Sequence, residues 1–381
     1  MTHRSRRVQQ LHITPAPLVA RFGLFAERLE VRTNDPRILA AAQASFGRFT
    51  EPASGAPLIV RLVVTEGPRD PGRDAGARPP DARDLVHDTA GHLLDISLGR
   101  EDRAVVDVER GFAMGSVSAA VAGQPGLLRY AFVEAVALAM LTGGRGYVPI
   151  HASCVVRDRM PAPQALPGAG GSGGGVGVIL QAPAGTGKST LALACARRGW
   201  GLLAEDVVFA RESGGSTDDV DAGGDIDGRG QLELWGMPWT QRLLPDAPRF
   251  FPELASATAR LQANGEHKLE VDLDEHAPGA ATPQAVAGPV VLLARDTGGP
   301  TRAEWLDLDV AATPGAAGPD AEAPVVEVLW PWENGWTPAH ERAASRLLDH
   351  GVLRLHLNGT PDEAVDALEA ALAPVTAIPA G

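Results

Sequence analysis

The chain has 381 residues, of which 44% are hydrophobic, and a formal net charge of −13. This length is sufficient to bury a sizeable core and favours two domains over one. The acidic balance argues against a general nucleic-acid-binding protein, because such proteins normally present a basic face.

Cysteine content and apolar runs narrow the class of protein further. The chain has two cysteines, Cys154 and Cys195, too few for a disulfide framework, and no CxxC metal motif. Both lie in apolar segments and are expected to be buried thiols. By inspection no apolar run reaches the length of a membrane span, and the basic N-terminus lacks the apolar segment of a secretory signal. We therefore expect a cytoplasmic protein with no membrane partner.

Residues 1–145 are predicted to form an N-terminal α+β domain that recognises the substrate or a partner. Four segments rich in β-branched residues predict strands, and they are RLEVRT (28–33), PLIVRLVV (57–64), HLLDISL (92–98) and RAVVDVE (103–109). Residues 35–49 predict a helix, with Asp35 as the N-cap and Pro36 in the first position. Residues 127–144 predict a second helix, which leads into the next domain.

Residues 146–381 are predicted to form a catalytic domain with a C-terminal α/β extension. Three segments each predict one strand, and they are YVPIHASCVV (147–156), VGVILQ (176–181) and GLLAEDVVFAR (201–211). A helix is predicted after the second of them, at 191–199. The order strand–loop–helix–strand is that of a mononucleotide-binding unit.

The rest of this domain alternates between strands and helices. QLELWGMPW (231–239) predicts a strand that runs into a turn, and residues 242–261 predict a loop followed by a helix. The remaining predicted elements are strands at 268–275, 288–295 and 352–358, a mainly loop segment at 296–324, and amphipathic helices at 340–350 and 361–372. Loops rich in Pro, Gly or acidic residues are predicted at 67–84, 157–175 and 212–230.

A phosphate-binding loop is predicted at 182–189, where the sequence APAGTGKS matches the Walker A pattern with Ala in place of the first Gly. Glycines in such a loop let backbone N–H groups turn toward phosphate oxygens. The lysine reaches the β- and γ-phosphates, and the hydroxyl that follows it binds Mg²⁺. The predicted ATP-binding residues are Ala184, Gly185, Thr186, Gly187, Lys188, Ser189 and Thr190.

Two adjacent acids, Glu205 and Asp206, follow the apolar residues GLLA one helix after this loop. A carboxylate at a strand end beside a phosphate-binding loop normally holds Mg²⁺. A second carboxylate can accept the proton of an attacking hydroxyl group. The alternative for either acid is an ordinary surface charge.

The segment from His151 to Phe209 resembles the catalytic core of the HPr kinase/phosphorylase family. Those enzymes have, in order, a histidine-bearing strand, an apolar strand, the phosphate loop, a helix that ends in a basic residue and Gly, and a strand with two acids. The resemblance extends over residues 148–275 and includes LELWGMPW, in which Glu233 and Gly236 match a family signature. It implies a P-loop kinase core of the HPr kinase and phosphoenolpyruvate carboxykinase type, with a mixed sheet.

By this resemblance Lys188, His151 and the acid pair form the catalytic site, with ATP and Mg²⁺ as cofactors. Ser189 and Asp206 are implied as metal ligands and Glu205 as the base, with an exchange of roles between the acids left open. Arg242 and Lys268 are candidates for stabilising the charge of the transition state.

The resulting hypothesis is a divergent serine kinase that acts on a peptide or protein, such as a precursor peptide in natural-product biosynthesis. One alternative is a small-molecule or carboxykinase-like phosphotransferase. Another is a nucleotide-binding regulatory module without catalysis. Assembly into a homo-oligomer is left open.

Overall fold

The computed structural model describes residues 14–52, 54–65, 84–99, 101–157, 175–213, 231–262, 266–296, 298–306 and 338–373. Most of the predicted loops at 67–84, 157–175 and 212–230 therefore lie outside the described residues. The chain divides into two compact units, of which the first contains the residues up to Tyr147 together with Glu266, and the second contains most of the residues from Val148 onward. Both contain helices and mixed sheets, so the protein has an α/β architecture.

The first unit contains a seven-stranded sheet. Its strands are β1 Leu18–Leu24, β2 Glu27–Thr33, β3 Leu58–Thr65, β4 Leu85–Ala90, β5 Leu93–Leu98, β6 Asp102–Asp107 and β7 Phe112–Ser118. Their order is β1-β2-β3-β7-β6-β5-β4, with parallel pairing of β3 to both β2 and β7. The four predicted strands are confirmed as β2, β3, β5 and β6, and β1, β4 and β7 were not predicted.

The helices of the first unit follow the local sequence signals. Helix α1 spans Pro36–Phe46, and the Asp35 side chain caps it by accepting a hydrogen bond from Arg37 N–H at 2.9 Å. The predicted second helix, at 127–144, is a composite of the end of α3 Pro125–Leu128, a π-helix Arg129–Glu134 and α4 Ala135–Gly144. A short helix, α2 Ala119–Ala122, precedes this composite.

One part of this helical segment corrects the expectation that no apolar run of the chain is long enough to span a membrane. The stretch Pro125–Gly144 has 20 residues and is apolar enough, by length and composition alone, to cross a membrane. Half of the 18-residue apolar segment within this stretch is buried inside the protein, and core helices of soluble proteins meet the same criterion.

The second unit contains a nine-stranded and a three-stranded sheet. The nine strands are β8 Val148–His151, β9 Ser153–Arg157, β10 Val176–Gln181, β11 Gly201–Ala204, β12 Val207–Glu212, β13 Leu232–Trp235, β17 Gln284–Arg295, β18 Arg302–Leu306 and β19 Val352–Leu357. Their order is β11-β9-β10-β17-β13-β12-β8, with β19 beside β17 and β18 beside β19. The small sheet, in the order β14-β16-β15, consists of β14 Thr240–Leu243, β15 Ala259–Leu261 and β16 His267–Asp272.

Three helices pack on the nine-stranded sheet, and they are α5 Lys188–Arg197, α7 Pro338–Leu348 and α8 Pro361–Ala371. The short helix α6 Leu273–His276 directly follows β16 of the small sheet. Residues of α5 and α8 share one buried cluster, which includes Leu191 and Leu368, whereas Leu347 of α7 belongs to another. Cys154 and Cys195 are both buried, as predicted. Burial raises the pKa of the Cys195 thiol to about 12 and also raises that of Cys154.

Three predictions for the second unit were wrong in detail. The segments 147–156 and 201–211 are each two strands, separated at Ala152 and at Glu205–Asp206. The helix expected within 242–261 is replaced by β14, two short 3₁₀ turns and β15. Prolines interrupt this segment, and pairing with β16 satisfies its backbone instead. The segment 296–324, predicted to be mainly loop, contains the short strand β18, which pairs with β19, and its residues after 306 lie outside the described part of the chain.

Gly236 is expected to be essential for the stability of the second unit. A Cβ on this residue would overlap the Leu203 carbonyl oxygen of β11. We expect Gly236→Ala to lower the free energy of unfolding by ~1–3 kcal/mol, as overpacking typically does. Gly298→Ala is the control, because its Cβ would make an ordinary 3.5 Å contact with Asp296.

Urea unfolding followed by tryptophan fluorescence measures this difference, since all seven tryptophans lie after Val148 in the sequence. Equal urea midpoints for Gly236→Ala and Gly298→Ala would contradict the expected loss of stability from the close approach of Gly236 to Leu203.

Candidate active site

The predicted phosphate-binding loop is the connection between β10 and α5. Six residues separate Gln181 from Lys188, and Gly185 and Gly187 have φ angles of 77° and 125°. Residues with a Cβ rarely adopt these angles, so the turn depends on glycine. No atom lies within 4 Å of the position that a Cβ would take on Gly185. The loop is therefore open on that side to a bound group.

Lys188 is the first residue of α5 and is largely buried, with 8% of its surface exposed. Its ammonium group donates a hydrogen bond to the carbonyl of Ala182 at 2.6 Å, so the side chain folds back over the loop. A buried ammonium is unusual in proteins unless it has an anionic or strongly polar partner. This position allows Lys188 to contact a phosphate group held by the loop.

The acid pair lies where two neighbouring strands break at the same level. Val207 pairs with His151 on one side of the break, and Ala204 pairs with Cys154 on the other. Across the break the Ala152 N–H donates to the Asp206 carbonyl at 3.0 Å, and the Ser153 hydroxyl donates to the Glu205 carbonyl. These two hydrogen bonds hold the backbone of Glu205 and Asp206 in place at the break, where neither residue belongs to a strand.

Glu205 is the buried member of the pair, with 7% of its surface exposed. One of its oxygens, Oε1, accepts a hydrogen bond from the Ser189 hydroxyl at 3.0 Å, and Oε2 lies 3.6 Å from Nη1 of Arg242. Burial raises the pKa of Glu205 to about 7, although the charge of Arg242 opposes this shift. The contact with Ser189 joins the acid pair directly to the phosphate loop.

Asp206 has the opposite character. Its side chain is 56% exposed, and Oδ1 lies 3.2 Å from Nε2 of His151. The hydrogen bond from His151 is the main cause that lowers the pKa of Asp206, and the charges of Lys268 and Lys188 add to it. Two adjacent carboxylates with pKa values pushed apart can take different chemical roles.

Positive charge converges on the pair from the small sheet. Arg242 lies on β14 and Lys268 on β16, and Lys268 lowers the pKa of both acids. Nε of Arg242 is buried without a hydrogen-bond partner among the described residues. Of the 34 lysines and arginines in the chain only two are lysines, Lys188 and Lys268, and both act on the acid pair. The scarcity of lysine is a sequence signal that Lys268 belongs to the site, and it is a more direct signal than the position of Lys268 in the chain.

Glu233 lies elsewhere in the structure. It pairs across strands with Arg211, whose Nη2 is 3.7 Å from its carboxylate. Arg211 is five residues beyond Asp206, roughly 16 Å along β12 at about 3.3 Å per residue. Trp235 and Trp239, which belong to the same segment, are both buried. The signature-like segment therefore packs in the core, and a role for Glu233 in the site stays a prediction.

The oxygen donors of the site fit Mg²⁺. Among the described residues no group of three or more His, Cys, Asp or Glu side chains could by itself hold a metal ion. Mg²⁺ does not require such a group, because it keeps several waters and binds one or two carboxylates together with phosphate oxygens. The Ser189 hydroxyl and the Glu205 carboxylate, 3.0 Å apart beside the loop, supply that kind of partial set.

Comparison with known proteins adds little to this picture. Neither a protein-family model nor a curated protein matches the chain. The Hpr(Ser) kinase/phosphatase from Coxiella burnetii is one solved structure that is similar to it, at 18% identity over 42% of this chain and 72% of that chain. The TM-score is 0.20, and a value this low carries no argument about fold or function. The functional interpretation therefore depends on the site itself.

The two acids are expected to affect stability with opposite dependence on pH. Between pH 4.5, the usual value for Glu, and about pH 7, native Glu205 keeps a proton that the unfolded chain has lost. The native state then binds more protons than the unfolded state, so the contribution of Glu205 to stability falls as pH rises. We expect Glu205→Gln to gain stability relative to the wild type between pH 5 and pH 8.

Asp206→Asn should behave in the reverse way, because the lowered pKa of Asp206 gives a contribution that is present at higher pH and lost in acid. Urea midpoints at a series of pH values, measured with EDTA and without nucleotide, test both signs. Parallel profiles for wild type and Glu205→Gln would contradict a raised pKa.

Proposed function

We propose that the second unit is a Mg²⁺-dependent kinase that transfers the γ-phosphate of ATP to a hydroxyl group. The observation that carries this proposal is the 3.0 Å hydrogen bond between Ser189 and Glu205, which joins the phosphate loop to the acid pair. A domain that only binds nucleotide needs the loop but not a second, exposed carboxylate beside it. Here Asp206 is that second carboxylate, and His151 holds it.

The loop residues and Lys188 bind the phosphate chain of ATP. Ser189 and Glu205 would hold the metal, for which their oxygen atoms are suited. Mg²⁺, when bound, supplies positive charge to the phosphate oxygens. The buried position of Glu205 favours this role, since a metal ligand does not need access to the incoming acceptor.

Asp206 is better suited than Glu205 to act as the base, because it is the exposed member of the pair. In the reaction the acceptor oxygen attacks the γ-phosphorus, and the bond from that phosphorus to the ADP oxygen breaks. The hydroxyl proton passes to Asp206. The contact at 3.2 Å lets His151 orient the Asp206 carboxylate. With Glu205 as the metal ligand and Asp206 as the base, this assignment reverses the roles that the sequence resemblance implies.

Lys188, Lys268 and Arg242 supply the positive charge that phosphoryl transfer requires around the γ-phosphate. Arg242 lies 3.6 Å from Glu205, and its side chain is 40% exposed, so its guanidinium group can contact a phosphate oxygen as well. This cluster of charge is notable in a chain whose net charge is −13.

The acceptor that we propose is a serine of a peptide or protein, such as a precursor peptide in natural-product biosynthesis. This part of the proposal rests on the sequence resemblance alone. A small-molecule acceptor uses the same residues and is distinguished by experiment.

The direct test is phosphate transfer from γ-labelled ATP to serine peptides and to small hydroxyl compounds. We expect Lys188→Ala and Asp206→Asn to lower transfer at least ~100-fold, because each removes a group used in the transition state. Asp349→Asn, an exposed carboxylate after α7, is the control and should retain activity.

Wild-type rates in both site variants would overturn the site. Label that appears only on small molecules would overturn the peptide acceptor. Binding of ATP without transfer to any acceptor would favour a regulatory module.

The scarcity of lysine allows a second test. An ATP analogue with an acyl phosphate transfers its acyl group to amines that lie near the phosphate chain. We expect Lys188 and Lys268 to be labelled, as they are the two lysines of the chain, and excess Mg²⁺-ATP to block both. Labelling of Lys268 that ATP leaves unchanged would exclude it from the site.

A further inference from the structure

Three neighbouring parallel strands end at the edge of the sheet where the phosphate loop lies. Gln181 of β10 pairs with Leu292 of β17, and Arg295 at the end of β17 pairs with Leu357 of β19. The last residues of β17 and β19 therefore come level with the loop that follows β10. Ligands of α/β proteins bind at such carboxyl ends of parallel strands.

Arg295 lies directly beside the loop. A Cβ on Gly187 would stand 4.0 Å from Nη2 of Arg295 and 3.7 Å from Cδ1 of Leu357. The guanidinium group is thus next to the last loop residue before α5. The sequence analysis did not single out this arginine.

The charge of Arg295 is available for a ligand. Its side chain is exposed, and within the part of the chain that the structure describes no acidic group forms an ion pair with it. The adjacent carboxylate of Asp296 is engaged by Nη1 of Arg302 at 3.1 Å and by the Gly298 N–H at 2.9 Å. An arginine with this freedom beside a phosphate loop can bind a phosphate through two parallel hydrogen bonds.

The strand order fixes the side of the loop on which Arg295 lies. Along the sheet the order is β11-β9-β10-β17, with β19 next. Glu205 follows β11, on one side of β10, and Arg295 ends β17, on the other side. If the γ-phosphate faces the acid pair, the phosphate chain must run from there toward β17.

We propose that Arg295 binds the α-phosphate of the nucleotide, so that the nucleoside lies over the ends of β17 and β19 against Leu357. This inference rests on the proposed function, because the acid pair defines the γ-phosphate end. Arg295 is then a binding residue that acts on ground state and transition state alike, and its loss raises KM for ATP more than it lowers kcat.

The test compares ligands that do and do not have an α-phosphate. Calorimetry with Mg²⁺ should show that Arg295→Ala weakens ATP and ADP binding about ten- to hundredfold, the usual effect of losing a charge-assisted hydrogen bond. Binding of pyrophosphate, which occupies the β/γ positions, should change less than about twofold. Arg295→Lys should give an intermediate loss. Arg342→Ala, an exposed arginine of α7, should bind all three ligands like the wild type.

Each outcome decides the inference. Equal losses for ATP and pyrophosphate would assign Arg295 to the transferring end, and unchanged ATP binding would remove it from the site. If the wild type transfers phosphate and Arg295→Ala binds ATP like the wild type, the inference about Arg295 fails and the proposed kinase activity stands. If the wild type binds ATP but transfers nothing, the proposed kinase fails while the ligand comparison still stands. Wild-type protein that binds no ATP would overturn both.

Discussion

The hydrogen bond from Ala152 N–H to the Asp206 carbonyl, 3.0 Å long, is the constraint on which the site depends. In an unbroken strand adjacent side chains point to opposite faces of the sheet, so Glu205 and Asp206 could not serve one site. Here both neighbouring strands stop at the same level, and this bond joins them across the interruption. Each acid is then free to leave the sheet, one toward Ser189 and the other toward His151.

The same arrangement explains how two adjacent carboxylates coexist. One is buried, and burial raises its pKa to about 7, whereas the other is exposed and a hydrogen bond from His151 lowers its pKa. Repulsion between two negative charges is thereby reduced before any cation arrives. Lysine and arginine side chains from α5 and the small sheet surround the pair, although the protein as a whole is acidic. Cationic side chains are therefore concentrated at this site in a protein whose net charge is negative.

Local signals in the sequence predicted the parts of the structure that local forces determine. Glycine spacing predicted the loop, apolar periodicity predicted α5 and α8, and the Asp35–Pro36 pair predicted the start of α1. Features that depend on distant pairing were missed. The segment 242–261 has enough Ala and Leu to read as a helix, but pairing with β16 makes its ends strands. Arg295 was missed for the same reason, since only the parallel pairing of β10 with β17 brings it to the loop.

The deep burial of Cys154 and Cys195 has a practical consequence. Thiols react as thiolates, and burial keeps both of these side chains protonated and out of reach of reagents in the folded protein. A cysteine introduced on the surface would accordingly be the single reactive thiol of the native chain. A spectroscopic probe could be attached to such a cysteine at any chosen exposed position without first replacing Cys154 or Cys195.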